Sequence, residues 1–540
     1  MKNIFLLIFI LISTVAFAND FKTFTSVLAI GPSYRINPSS TMVQYELDIT
    51  RHPVNQSFLF ATASTINSVS SFRSEAIYLT TNGGLTWFNR DTMYGSPIQN
   101  HGSDPGPAID NNGRLLFIHH GSFINGIFSH YSTDFGTNWS TAYTISNGDM
   151  DKGNDIFFDA SPTSPYYGRF YTSYIFLTPP FKVYFSYTSD GGETWSTSTP
   201  INNPPQRCQG AELRTNNSGN VFISWGSVIN TSPFTEDYIG FARSTNGGNN
   251  WTVNETAANI NGVAGRILQK GNIAINGLPR MDIDNTGGVR NGWIYIITTE
   301  KNLSPAGSDP DVILRKSTDG GQTFSPAVRV NQDALNNGKI QFFPAIRVDE
   351  DGGVNIIYYD DRNTSSDSTE VYLSRSTDGG NTFADYVISD HRFAPKSIVG
   401  AGAGNMGDKI GLTSGNGKLY AVWMSDKSGI FQAWMTPIDL SSVGIKKVSE
   451  LTPSGYSLEQ NFPNPFNSMT NIRFNILNTE IVKIKVYDIL GKEVKTLLNE
   501  YKEPGTYQLR FDAKDLPTGI YFYKIKSGNF SETKKMILAR

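Results

Sequence analysis

The feature that most restricts how this chain can fold is an eight-residue pattern, Ser/Thr-x-Asp/Asn-Gly-Gly-x-Thr-Trp/Phe, repeated six times. Residues 317–324 read Ser-Thr-Asp-Gly-Gly-Gln-Thr-Phe, and the other copies begin at Thr80, Ser132, Thr188, Ser244 and Ser376. The copy at Ser132 is looser, with Phe135 in place of the first glycine. Each copy follows an alternating apolar run such as residues 312–316 or 371–375, which predicts the turn of a β-hairpin. The residue types suit a tight turn: paired glycines supply positive φ, and an Asp or Asn with a Ser or Thr bonds the turn's own amides. The third position carries Asn82, Asp134, Asp190, Asn246, Asp319 and Asp378. The closing Trp or Phe starts the next strand and buries its ring.

A second pattern lies upstream of the turns: an apolar strand ending near an Asp, a Gly/Asn turn, then an aromatic-rich strand. It occurs seven times, at residues 45–62, 107–118, 157–174, 212–225, 280–297, 344–359 and 409–423. Units of roughly 50–70 residues with four strands each predict the blades of a β-propeller. A chain of 540 residues exceeds one compact core, and its 50 glycines, 25 tyrosines and 34 phenylalanines favour short strands and turns. The fold class expected is therefore all-β: a seven-bladed propeller over residues 22–440, with six blades as the alternative, followed by a small sandwich. Seven hairpins against six turn motifs are reconciled at the ends. The last unit runs out after residues 430–438, while residues 26–37 form an orphan strand before the first hairpin. That strand is expected to close the last blade and hide two sheet edges.

The six-copy motif resembles the Asp-box, or BNR repeat, of sialidase-like propellers. The resemblance implies that the boxes lie between the outer two strands of a blade, away from the central channel, with carboxylates serving the turn. It also raises sialidase activity. Residues 34–37, Tyr-Arg-Ile-Asn, resemble the Phe/Tyr-Arg-Ile-Pro motif whose arginine binds a sialic acid carboxylate. Asn37 replaces the proline, and Arg35 to Asn37 align with Arg329 to Asn331, which makes the segment a repeat element. The family's acid/base Asp has no counterpart in residues 60–64, Phe-Ala-Thr-Ala-Ser. Arg280, Tyr358, Tyr359 and Arg362 supply the residue types of the remaining catalytic groups without matching their motifs. Retaining hydrolysis needs a nucleophile and a proton donor in fixed opposition. Two functions stay open: a propeller that binds glycans or other extracellular ligands, and a sialidase-type or other glycoside hydrolase.

A ligand site is expected where the loops entering the innermost strands converge on the channel. Those loops carry Asp104, Asp151, Asp155, Glu212, Arg280, Gln341, Asp408 and Lys409. The same residues would also serve to cap strands and solvate a wet channel. No metal or cofactor is expected. Residues 282–287 begin like a calcium loop, but the twelfth position is Trp293, and His119 and His120 point to opposite faces of a strand. The formal charge of −3, without a Lys/Arg block, argues against nucleic acid. The single cysteine, Cys208, reads as an ordinary thiol.

The ends address the chain outward. Residues 1–18 read as a secretory signal peptide cut after Ala18, its apolar run too short for a membrane span and no other stretch long enough for one. Residues 441–450 read as a polar linker. Residues 451–540 alternate over about seven short strands, which predicts an Ig-like sandwich. Their segments Asn-Phe-Pro-Asn-Pro-Phe-Asn (461–467), Tyr-Asp-Ile-Leu-Gly-Lys-Glu-Val (487–494) and Leu-Pro-Thr-Gly-Ile-Tyr (516–521) closely resemble the C-terminal sorting domain of type IX secretion cargo. That resemblance implies the type IX machinery as a partner and delivery to the outer-membrane surface or exterior of a two-membrane bacterium, often with removal of the domain.

Overall fold

The computed structural model describes residues 28–539 apart from 95–97, 99–103, 122–124, 149, 403, 441–444, 450–452 and 514–515. The expected signal peptide lies outside the described residues. Two compact units emerge, one of Ala29–Ser441 and one that gathers Ser442–Arg540. Nearly all regular structure is strand, and among the described residues one 3₁₀ turn, Leu268–Lys270, is the only helix. Among the described residues no helix is long and apolar enough to cross a membrane.

The first unit holds seven principal sheets, each led by an innermost strand. These strands are Met42–Arg51, Gly106–Ile109, Met150–Phe158, Arg207–Thr215, Arg280–Ile283, Gln341–Val348 and Gly411–Gly415. Each neighbours the next in that order, and the last neighbours the first, so the sheets form a closed ring. Apolar alternation makes the cores. Phe60, Ile77 and Leu79 of the first sheet meet Leu115 and Phe117 of the second, and Phe222 and Phe241 of the fourth meet Met281 and Ile296 of the fifth. A phenylalanine buried this way contributes about 1.5–3 kcal/mol.

The repeated turns bind one sheet to the one before it. In the copy at Ser317, the Ser317 hydroxyl donates to Asp319 Oδ1 at 2.7 Å and accepts from Gly321 N at 2.8 Å. Asp319 Oδ1 accepts from the amides of Gln322 and Thr323, and its Oδ2 from the Thr323 hydroxyl at 2.6 Å. The second glycine does more than adopt φ +82°: a Cβ on Gly321 would overlap the Phe241 ring of the preceding sheet. Gly84, Gly136, Gly192, Gly248 and Gly380 likewise abut Met435, Leu79, Leu116, Phe185 and Leu314, each one sheet back. Side chains of the preceding sheet then donate to the turn's carbonyls: Arg114 to Asp190, Arg169 to Gly247, Arg243 to Gly320, and Lys316 to Gly379.

The ring closes through the N-terminal segment. Ala29–Ile30 and Tyr34–Arg35 pair antiparallel with Gln432–Asp439, the third strand of the seventh sheet. Tyr34 then donates to Gly84 O at 2.5 Å, so the first turn docks on the last sheet through a strand from the chain's start. Arg35, of the sialidase-like segment, therefore stands in an outermost strand, as Arg329 does in the fifth sheet.

Between the fourth and fifth sheets a small hairpin, Gly265–Ile267 with Ile273–Ile275, is inserted. Its Lys270 is fully buried, 2.8 Å from Asp361 and donating to the carbonyls of Ser366 and Ser368. The hairpin thus reaches the loops of the sixth sheet and, through Ala274 N to Gly404 O, those before the seventh.

The second unit is two four-stranded sheets. One orders Ile445–Ser449, Gly505–Asp512, Met469–Ile476 and Ser457–Leu458; the other orders Glu493–Lys502, Glu480–Tyr487, Gly519–Ser527 and Phe530–Leu538. Their alternating apolar positions, among them Ile472, Phe474, Val482, Ile484, Leu509, Phe511, Tyr523 and Ile525, share one core. The expected linker 441–450 is corrected here. Residues 445–449 are a strand paired with Gly505–Asp512, and Ile-Lys-Lys-Val-Ser is too short and too charged to read as one beside a real linker.

Candidate functional site

The innermost strands line an axial channel, and their side chains alternate between core and channel. Two residues apart on one strand therefore means the same face. That places Glu212 with Arg214, and Arg280 with Asp282, pointing at the axis. Arg214 is the hub: its Nη1 is 2.6 Å from Asp155 Oδ2, its Nη2 3.4 Å from Glu212 Oε2 and its Nε 3.6 Å from Asp282 Oδ1. Arg280 Nη1 donates to Glu212 Oε1 at 2.7 Å, and Lys409 Nζ is 2.7 Å from Asp48 Oδ2. Asp155 also accepts the Leu213 amide at 2.7 Å, which ties the third sheet to the fourth.

Burial and charge act on these groups in opposite senses. Burial lifts Asp155 to about 7 against the pull of Arg214. Burial also works to raise Glu212, but Arg280, Arg214 and Lys409 together override it and hold that carboxyl below its ordinary range. Arg214 rises despite burial because Asp155, Glu212 and Asp282 surround it, and Lys409 rises through Asp48. Each acid of this girdle is matched to a cation or an amide.

The channel is narrow at the girdle and wide on one side. The space bordered by Asp48, Glu212, Arg214, Arg280 and Lys409 is about 90 Å³. A cavity of about 570 Å³ joins it at the downstream ends of the innermost strands. Thr50, Ile156, Phe157, Asp282, Arg347 and Thr413 border both, so the two are continuous, and all seven sheets contribute to each wall. A further hollow of about 700 Å³ at the rim is lined by residues 90–94, 98, 130 and 137–142, from the first two sheets alone.

Of the residues singled out from sequence, Asp155, Glu212, Arg280 and Lys409 meet in the girdle. Asp104 and Asp408 meet elsewhere, with Glu46, their carboxylate oxygens within 4.8 Å of one another. Glu46 accepts from Asp104 N and Ser64 Oγ, both at 3.2 Å, and Asp408 accepts from Asn276 at 2.7 Å. Gln341 stands apart: it is fully buried and its Oε1 accepts from Asn331, which also bonds Asp311 and Asp333. Asp151 lies in Met150–Phe158, its side chain outside the described residues. Residues 282–287 form a hairpin turn in which Asp284 Oδ1 accepts from the Thr286 amide and hydroxyl. Cys208 is buried, its thiol pushed up to about 12 by burial.

Sequence reasoning missed Asp48, Arg51, Arg214, Asp282 and Arg347 because it searched the loops and not the strands they lead into. The signal was present as charged residues two apart, 212 with 214 and 280 with 282, each pair separated by a single apolar residue, Leu213 or Met281.

Residues 460–539 match the family described as Secretion system C-terminal sorting domain. That tail marks the protein as secreted or cell-surface, and as cargo of the type IX machinery. No curated protein matches the chain. Solved structures that align with it include a protein of unknown function from Dyadobacter fermentans DSM 18053, at 11% identity over 76% of this chain and 99% of that one, TM-score 0.44. They also include the Hadza microbial sialidase Hz136, at 15% identity over 60% and 66%, TM-score 0.39. A third is a Penicillium chrysogenum α-L-arabinanase complexed with arabinobiose, at 15% identity over 64% and 98%, TM-score 0.41. Likeness at these scores assigns nothing to this chain.

Proposed function

We propose that residues 29–441 are a seven-bladed Asp-box β-propeller that binds an extracellular glycan or comparable ligand without turning it over. In this reading the C-terminal unit is an Ig-like sandwich that delivers it. Cyclic adjacency of the seven innermost strands, with each box docked one sheet back, supports the blade count. Two sheets sharing one apolar core support the sandwich.

The observation that carries the function is the contrast in room and in free groups along the channel. Small-molecule sites occupy about 300–1,000 Å³. The downstream cavity is in that range, whereas the acidic girdle leaves about 90 Å³, under the size of a ligand pocket, with Arg214 in contact with both Asp155 and Glu212. A hydrolase needs two carboxyl groups with a sugar between them. One observation favours the hydrolase all the same: Asp155 is lifted to about 7 beside an ionised Glu212, as an acid and its partner would be.

The readings separate on one preparation. The purified chain is assayed for hydrolysis of aryl sialosides and a mixed glycan panel beside Asp155→Asn and Glu212→Gln variants, and for binding on a glycan array. Binding without turnover is expected; release of sugar by the parent, lost in Glu212→Gln, overturns the binding-only function.

A further inference from the structure

One sheet of the second unit carries a basic face. In Glu480–Tyr487 and Gly519–Ser527 the core takes Val482, Ile484, Val486, Tyr523 and Ile525, so alternation turns Lys483, Lys485, Lys524 and Lys526 to the outer face. Lys483, Lys524 and Lys526 are exposed and Lys485 half-buried. The register sets Lys483 directly opposite Lys526, and Lys485 directly opposite Lys524. The four side chains therefore rise from a grid of about 5 Å across the strands and about 7 Å along them.

Acids of the same sheet do not balance them. Lys485 Nζ is 2.7 Å from Glu493 Oε2, but among the described residues Lys483, Lys524 and Lys526 form no ion pair. Glu480 accepts from Ser527 Oγ at 3.0 Å, and Glu532 lies 2.7 Å from Lys534. Like charges directly opposite one another weaken a sheet. Lysines that guard a sheet against aggregation belong on its edges, whereas Glu480–Tyr487 and Gly519–Ser527 are the middle two strands of four. The sequence shows the same imbalance: residues 445–540 hold 15 Lys and Arg against 10 Asp and Glu, in a chain with 45 against 48. Beside the lysines the face turns apolar, with Tyr487 opposite Phe522, and Ile520, 42% exposed, opposite Ile537.

We propose that this lysine face is where the type IX machinery takes hold of the tail, through an acidic surface on one of its proteins. The proposal rests on the match to the sorting domain and is independent of what the propeller binds. A partner sheet with acids at alternate positions presents carboxylates on the same grid, and aromatic and aliphatic groups beside the charges suit a protein interface. Lysine in place of arginine suits a cargo that must be let go, because its ammonium is strongly hydrated and makes no fixed fork with a carboxylate. Exposed charges of this kind speed encounter and select the partner more than they tighten the complex.

Binding and export are measured on the full chain with Lys483→Gln, Lys485→Gln, Lys524→Gln and Lys526→Gln combined, and with the same four changed to Arg, melting curves confirming that both fold. The binding probe is poly-L-glutamate, with phosphatidylglycerol vesicles as the rival anionic surface. The parent is expected to bind poly-L-glutamate at least about tenfold more tightly than the glutamine variant, since four individually weak contacts are lost together, and the arginine variant to match the parent. In a type IX-competent cell the glutamine variant should reach the surface severalfold less than the parent, and the arginine variant should recover delivery. Changing four lysines of the other unit, Lys182, Lys301, Lys418 and Lys427, to Gln should alter neither readout; an equal loss there assigns the effect to net charge and overturns the face. Parental delivery of the glutamine variant overturns the proposal, as does delivery that the arginine variant fails to recover. Equal binding of poly-L-glutamate by parent and glutamine variant overturns the face, and vesicle binding that needs the four lysines, without such binding of poly-L-glutamate, overturns the protein partner.

Discussion

The rim turns and the channel girdle use the same carboxyl group under opposite constraints. At the rim, Asp319 is only partly buried and its oxygens are filled by donors within four residues; the Thr323 hydroxyl and amide hold it down to about 2. Asp190 is held down likewise, with Thr194 overcoming slight burial. In the channel, Asp155 is buried and its partner Arg214 is 59 residues away in another sheet, and burial lifts it to about 7. A local hydrogen-bond shell stabilises the charge where it stands, whereas the girdle stabilises it only while several sheets hold their places.

The largest effect that would break this contrast is at its hub. Arg214→Met should cost about 3–5 kcal/mol in urea denaturation, because it leaves Asp155 buried without its ion-pair partner. Asp319→Asn at the rim should cost less than about 1 kcal/mol, since the group that changes is half in solvent and keeps its Oδ1 acceptor for the turn amides. Comparable losses would mean that the two regions are held alike.

Next in size is a comparison within one turn. Gly321→Ala should cost about 2–4 kcal/mol, combining a left-handed backbone with overlap on Phe241. Gly320→Ala, at φ +72° with only the Arg243 guanidinium nearby, should cost about 1–2 kcal/mol. If the two melt alike, the second glycine serves conformation alone and does not dock the sheets.

The smallest effect is in pH, where the regions have opposite signs. Rim carboxyls with depressed values contribute stability above about pH 4 that is lost as pH falls toward 2. Asp155, raised, contributes stability that is full below about pH 4 and lost as pH climbs through about 7. Stability measured by denaturation across pH 2–9 is therefore expected to peak near pH 4; Asp155→Asn flattens the upper side and Asp190→Asn with Asp319→Asn the lower.

The same distinction decides how much was legible in the sequence. The box turns read directly because every group that shapes them lies within eight residues, and the closing strand expected at residues 26–37, reached by counting turns against hairpins, is present as Ala29–Ile30 and Tyr34–Arg35. The girdle read in part: Asp155, Glu212, Arg280 and Lys409 were singled out by their loops, but Arg214 and Asp282 were not, because the bonds run from Arg214 to Asp155 and from Arg280 to Glu212, between strands 59 and 68 residues apart. Propensity has no access to such separations, though the two-residue spacing of charges, 212 with 214 and 280 with 282, marked the faces. Gln341 stands apart from the girdle for a related reason: at the start of an innermost strand it lies beside Asn331, which follows the preceding outer strand Val328–Arg329.

The pairing of Tyr34–Arg35 with Gln432–Asp439 also sets an order of events. Ser33 and Thr436, joined by hydroxyls at 2.9 Å, are 403 residues apart. Closing a loop that long costs about 3 kcal/mol more entropy than closing a ten-residue hairpin. The clasp is therefore expected to form last, after the sheets between have assembled locally, and until then the growing arc carries a bare edge at each end. Because Gln432–Asp439 is bonded on one side to Lys418–Ser425 and on the other to Ala29–Ile30 and Tyr34–Arg35, cutting the chain ahead of Tyr34 should expose that edge without disturbing any earlier-formed sheet.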